Sequence, residues 1–138
     1  MSDAASIVYA REQELDTAEF RRVLVESTLG ERRPIDDPKR LAAMLAGSDL
    51  IVTARRGGEL LGVARSVTDF VYCCYLSDLA VARSAQRSGI GRGLIDETSR
   101  HLGPKAFIVL LAAPAAEEYY AKVGFEPHPS AWVRHPRS

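Results

Sequence analysis

The sequence predicts an α+β fold built as a single domain over residues 1–138, and three observations lead there. Apolar residues recur at helical spacing twice before Gly47, the pattern switches to β-branched runs from Asp49 to Ala82, and strand-like and helix-like segments then alternate toward the C-terminus. With 46% hydrophobic residues, 138 residues suffice for one compact core and fall short of two ordinary domains.

The elements follow in order. Ile7 to Ala10 is a short apolar run suited to an edge strand. Asp16 opens a helix, because DTAE places an acceptor at the cap and Glu19 three residues on, with Phe20, Val23 and Leu24 along one face and Gly30 as the stop after Leu29. The polar segment ERRPIDDPKR is a loop that runs into a second helix, with Asp37 at the cap, Pro38 in the first turn and Leu41, Met44 and Leu45 inward until Gly47. LIVTARR and ELLGVARSV form a hairpin about Gly57 and Gly58, and VYCCYLSDLAVA adds a third strand, so an antiparallel meander occupies the middle of the chain. A helix from about Gly91 to Leu102 buries Leu94, Ile95 and Thr98. A buried strand AFIVLLA, a helix from Pro114 to about Val123, and one or two last strands around Phe125 and Trp132 complete the chain.

Composition excludes several functions. Lys plus Arg and Asp plus Glu both number 18, so no global charge favours nucleic acid or an anionic membrane surface as partner. No stretch approaches the roughly 20 apolar residues of a membrane span, and the N-terminus lacks a signal-peptide pattern, which leads us to expect a cytoplasmic protein. Cys73 and Cys74 are adjacent in a strand, where they point to opposite faces and cannot bridge each other. Neither they nor the three histidines form a metal-ligand pattern, so no metal is expected.

The segment QRSGIGRG, Gln86 to Gly93, sits where a strand hands over to a helix. Glycines there let unpaired backbone amides converge on an anion, and Arg83, Arg87 and Arg92 add positive charge that the chain as a whole lacks. A pyrophosphate suits such a turn. The dinucleotide fingerprint GxGxxG does not, since Leu94 stands where its last glycine belongs, and a P-loop fails because Leu94 and Ile95 follow Gly93 in place of Lys and Ser or Thr. On this segment alone, a strand-to-helix turn without a ligand is an equal alternative.

Taken together, LSDLAVARSAQRSGIGRGLI and AAPAAEEYYAKVGF resemble the two signature regions of the GNAT family of N-acetyltransferases. Gln86, Gly89 and Gly91 match its Gln or Arg, x, x, Gly, x, Gly or Ala pattern, and Tyr120, Gly124 and Phe125 match its tyrosine-bearing helix. The resemblance implies the acyl-CoA N-acyltransferase fold: a mixed sheet of about six to seven strands, mostly antiparallel with a splayed parallel pair, flanked by four helices. It implies acetyl-CoA as cosubstrate, its pantetheine arm along Leu79, Ala80 and Val81 and its pyrophosphate at Gln86, Arg87, Ser88, Gly89, Ile90, Gly91, Arg92 and Gly93, with Tyr120 reaching the coenzyme sulfur. The partner is then an amine acceptor of unspecified identity, and homodimerisation is left open. A catalytically silent acyl-CoA sensor or interaction module on the same fold is the alternative.

Acetyl transfer to an amine needs a neutral nucleophile, a polarised thioester carbonyl and an acid for the departing thiolate. An amine with a pKa near about 10.4 is almost wholly protonated at pH 7, so a base or a water path to one is useful. Some relatives carry a strand glutamate at the position of Tyr75, and nothing carries over from them. Asp78 is the carboxylate nearest in sequence and the candidate base; strand alternation turns it away from Ser77 and Leu79, with the face undetermined. Ser77, Tyr72, Glu26 and water are further candidates for a proton path, a backbone amide near Leu79 would polarise the carbonyl, and Tyr120 is the expected acid, with Tyr119 a packing aromatic. The acceptor pocket falls to residues 27–40 and the tail 126–138. His128 and His135 are expected at the surface and Trp132 against the last strand.

Overall fold

The computed structural model describes residues 6–137. Five strands form one sheet in the order β1-β2-β3-β4-β5, comprising β1 (Val8–Arg11), β2 (Leu50–Arg56), β3 (Glu59–Thr68), β4 (Cys73–Val81) and β5 (Phe107–Val109). The first four pair antiparallel, and β5 joins β4 in parallel. Four helices accompany them: α1 (Thr17–Glu26), α2 (Pro38–Ala46), α3 (Ile90–Arg100) and the short α4 (Glu117–Lys122). None of these is long and apolar enough to cross a membrane.

Each face of the sheet carries its own core. Phe20, Val23 and Leu24 of α1 and Leu41 and Leu45 of α2 pack on Ile51, Leu60, Val63 and Ala80. On the other face Ile90, Leu94 and Ile95 of α3 pack on Leu50, Val52, Ala54, Leu61, Ala64 and Leu76. Alternation along the strands sorts these two sets, except that the extra residue Leu61, between the Ala54–Gly62 and Arg55–Leu60 pairs, puts Leu61 on the face opposite Val63. Gly62 lets α3 come close, since a Cβ there would lie 3.0 Å from Leu94 and 3.1 Å from Ile90.

The capping residues are those the sequence predicts: the carboxylates of Asp16 and Asp37 accept from the N–H groups of Glu19 and Arg40. Gly30 has a different role from the expected helix stop. α1 ends at Glu26, Ser27 caps it and starts a 3-10 turn (Thr28–Arg32), and Gly30 is buried where a Cβ would come within 2.6 Å of the Leu24 carbonyl.

β4 contains the feature that shapes the site. Arg65 pairs with Asp78 and Ser66 with Leu76, so Ser77 is an extra residue, a β-bulge that interrupts the alternation. Leu76 therefore faces α3, while Asp78 and Ala80 face α1 and α2. β4 departs from β5 after Tyr75, just before the bulge: their ladder covers only Cys73–Phe107, Cys74–Ile108 and Tyr75–Val109.

That divergence corrects the expected strand count. The run AFIVLLA is ladder-paired only over Phe107–Val109, because Leu110 to Ala113 have no strand beside them. No strand forms around Phe125 or Trp132 among the described residues: the tail 126–137 is irregular and exposed, and its prolines at 127, 129 and 136 lack the N–H a ladder needs. Trp132, expected to pack a last strand, is 93% exposed.

Candidate active site

The open edge of β4 and the start of α3 meet at one end of the sheet. The N–H of Ala82 donates to the Leu61 carbonyl at 2.8 Å, which fixes the phase of the β3–β4 ladder. Ala80 then spends its N–H and C=O on Val63, while Leu79 and Val81 turn theirs away from β3 toward the side β5 has left. Of the three residues expected to meet the pantetheine arm, two present free backbone groups and Ala80 presents none. The Val81 carbonyl accepts from Gln86 Nε2 at 3.0 Å, which ties the glycine turn to the strand end.

The turn is built from conformations that expose amides. A 3-10 turn (Arg83–Ala85) follows β4; Arg87 takes φ 66° and Gly89 takes φ 83°, and Ser88 Oγ donates to the Ala85 carbonyl at 2.5 Å. Gly89 is the N-cap of α3 and has no side chain to cap with, so the first-turn amides of Ile90, Gly91 and Arg92 have no capping acceptor, unlike those of α1 and α2. The positive end of the helix dipole and the exposed side chains of Arg87 and Arg92 reinforce these donors. Ile90 itself is buried in the core and offers only its amide.

The three glycines do different work. A Cβ on Gly89 would meet no atom within 4 Å, so its requirement is the positive φ and the space above it is open. A Cβ on Gly91 would overlap the hydroxyl of Tyr119, and one on Gly93 would overlap the ring and hydroxyl of Tyr9. The third glycine is thus explained by β1 packing on α3, and the second by an aromatic of α4. Sequence reading missed both contacts, although the adjacent tyrosines 119 and 120 already required one of them to turn away from the cleft.

Tyr120 stacks edge-to-face on Tyr119 at 5.4 Å and on Phe125 at 5.6 Å between ring centroids. Its backbone carbonyl accepts from the N–H groups of Val123 and Phe125, and Gly124 takes φ 97° to close this turn. Burial pushes its phenol pKa above the usual 10.0, Tyr119 adds to the rise, and the Arg33 guanidinium works against it. The phenol stays protonated at neutral pH and able to donate.

Asp78 is 0% exposed, and both of its oxygens are taken: Arg33 Nε lies 2.5 Å from one and Arg65 Nε 2.5 Å from the other. Arg33 also donates to the Ser77 carbonyl at 2.7 Å, and Arg65 to Ser77 Oγ at 3.0 Å. The bulge thus brings Ser77 and Asp78 against the same arginine, where plain alternation would part them. The clamp ties the α1–α2 connection to β4, and nothing in the sequence pattern pointed to Arg33.

The remaining candidates are scattered. Glu26 pairs with Arg22 at 3.2 Å and, with Val25, Arg83 and Ser84, lines an open groove between the end of α1 and the glycine turn. Tyr72 is exposed and stacks edge-on against Phe107. His128 and His135 are exposed, and His128 Nδ1 accepts from the Ser130 N–H. Among the described residues, no group of three His, Cys, Asp or Glu is arranged to hold a metal ion.

Comparison with known proteins identifies the family and the fold. The profile of the acetyltransferase (GNAT) domain matches residues 18–135. A probable acetyltransferase from meticillin-resistant Staphylococcus aureus, described as of unknown function, superposes with TM-score 0.78 at 17% identity, covering 96% of this chain and 100% of its own. A GNAT-family acetyltransferase from Streptococcus pneumoniae gives 0.73 at 21% identity over 95% and 100% of the two chains. An aminoglycoside N-acetyltransferase in complex with CoA gives 0.76 at 15% identity over 100% and 99%. At these identities the likeness is one of fold.

Proposed function

The chain belongs to the GNAT acetyltransferase family, and from that premise we propose that it transfers an acetyl group from acetyl-CoA to a primary amine of a small molecule or peptide, directly within a ternary complex. One observation carries the cofactor assignment: an uncapped helix N-terminus, flanked by arginines, stands at the end of a strand edge with unspent backbone groups. An elongated ligand with a pyrophosphate at one end and an amide-bearing arm at the other complements both. The pyrophosphate takes the amides of Ile90, Gly91 and Arg92, and the arm adds to β4 at Leu79 and Val81 as a strand would.

Chemistry then falls near the bulge. A backbone N–H of the Leu79 edge polarises the thioester carbonyl, the amine attacks, and Tyr120 gives its phenolic proton to the leaving thiolate. The phenol is protonated at neutral pH, burial holding its pKa above 10.0, so it has a proton to give. Asp78 does not serve as base in this proposal: it is fully buried with each oxygen bonded to a guanidinium, so neither oxygen is open to the acceptor amine. The amine instead loses its proton to solvent. No covalent enzyme intermediate is involved, and the enzyme acts in the cytoplasm without a metal.

The clamped Asp78 and the Tyr75 in place of a strand glutamate favour a second reading, an acyl-CoA sensor without turnover. The test is acetyl-CoA-dependent thiol release over a broad amine panel, run beside thermal shifts with acetyl-CoA and with ATP. Acetyl-CoA at about 100 times its Kd adds about 2.7 kcal/mol. At about 2.1 cal/mol/K per residue this raises Tm by about 9 °C. Stabilisation with turnover supports the enzyme and stabilisation without turnover the sensor. Equal stabilisation by ATP would leave a plain nucleotide-binding module.

A further inference from the structure

The buried cluster at the β4 bulge carries more positive charge than its structural role consumes. Arg33 and Arg65 share the single carboxylate of Asp78, and among the described residues no second carboxylate lies in ion-pair range of either. The clamp thus retains one net positive charge in a poorly solvated place, where it attracts an anion more strongly than it would in water.

The two arginines differ in what they have left to give. Arg65 is turned inward, its side chain 9% exposed, with three of its four remaining N–H groups directed to Ser77 Oγ, Ser48 Oγ and the Met44 carbonyl. Arg33 has a side chain 21% exposed and gives one N–H each to Asp78, the Ser77 carbonyl and the Arg32 carbonyl. A guanidinium has five N–H donors, so two of those on Arg33 are uncommitted. It stands where β4 parts from β5, and it acts electrostatically on the Tyr120 phenol, so it belongs to the end of the cleft where acetyl transfer would occur.

We infer that Arg33 is a specificity-determining residue that receives an anionic group of the acceptor, so that the amine carries a carboxylate close to its amino group. Amino acids and related acids meet this description; polycationic amines do not, because the same excess charge repels them. Arg33 is held in place by Asp78 and Ser77, so its free donors are positioned before the acceptor arrives, which lowers the cost of binding. The inference rests on the acetyltransferase reading.

The experiment compares amines that differ only by the carboxylate, L-lysine against cadaverine and L-phenylalanine against phenethylamine, with an aminoglycoside as polycation. The full chain is assayed as wild type, Arg33→Gln and Arg33→Lys, with acetyl-CoA affinity and Tm measured for each. The expected result is a kcat/KM about ten-fold or more higher for the acid of each pair, carried by KM, as befits a charge-assisted hydrogen bond. Arg33→Gln should abolish the preference, Arg33→Lys should retain part of it, and the Kd for acetyl-CoA should stay the same. Equal or better turnover of the decarboxylated amines or the aminoglycoside would overturn the inference and leave the acetyltransferase reading standing. An equal fall in kcat for every amine in Arg33→Gln would also overturn it. Turnover of no amine at all would overturn both.

Discussion

Replacing Asp78 with Asn separates a structural carboxylate from a catalytic one. The change removes one partner of a buried ion pair and leaves two guanidiniums facing an amide, one of whose ends is itself a donor. Removing one partner from a buried pair costs about 3–5 kcal/mol, and because the Arg33 side chain keeps 21% exposure the lower end applies, about 3 kcal/mol. The unfolding entropy for 138 residues is about 0.29 kcal/mol/K, so Tm should fall by about 10 °C. Turnover is to be measured well below the lowered Tm. There it should stay within about ten-fold of wild type, short of the roughly 10²–10⁴-fold loss that removing a general base brings. A melting temperature within a few degrees of wild type together with a collapse of kcat would restore Asp78 as the base.

Other perturbations address the remaining parts of the site. Tyr120→Phe should lower kcat by about 10²-fold or more while the Kd for acetyl-CoA stays nearly the same, read by steady-state kinetics and calorimetry; an unaltered rate would remove Tyr120 as the acid. Gly89→Ala should cost about 1–2 kcal/mol through its φ of 83° alone, and Gly91→Ala should cost less, since the overlapped atom is the far end of the half-exposed Tyr119 side chain. Thermal melts of the two variants check that order. Burial raises the phenol pKa values of Tyr9, Tyr119 and Tyr120 above 10.0. Their contribution to stability is therefore complete below pH 10.0 and is lost as pH rises through the folded-state values, which a melting series into that alkaline range would show.

The order of elements was legible because helical and strand periods alternate cleanly along the chain and because Asp16 and Asp37 stand at helix starts. The glycine turn was legible as a place, since Gly89 needs its positive φ. What escaped the sequence is non-local. The bulge at Ser77 arises from how β3 and β4 pair, and it decides the facing of Asp78. Arg33 looked like one more charge in a mixed loop, and only the fold brings it to Asp78 across 45 residues. The tail was misjudged because the apolar residues around Phe125 and Trp132 read as one or two last strands, whereas the prolines at 127, 129 and 136 leave Trp132 exposed and unpaired.

In the proposed function, acyl-CoA is bound by the backbone of the α3 start and the open edge of β4. Titrating acetyl-CoA into the ¹⁵N-labelled chain and following its amide signals tests this most directly. The largest shifts are expected at Leu79, Val81, Ile90, Gly91 and Arg92, with smaller ones at Ala80, whose amide is already spent on Val63. Saturable binding that leaves residues 86–93 unmoved, or shifts centred elsewhere on the sheet, would contradict it.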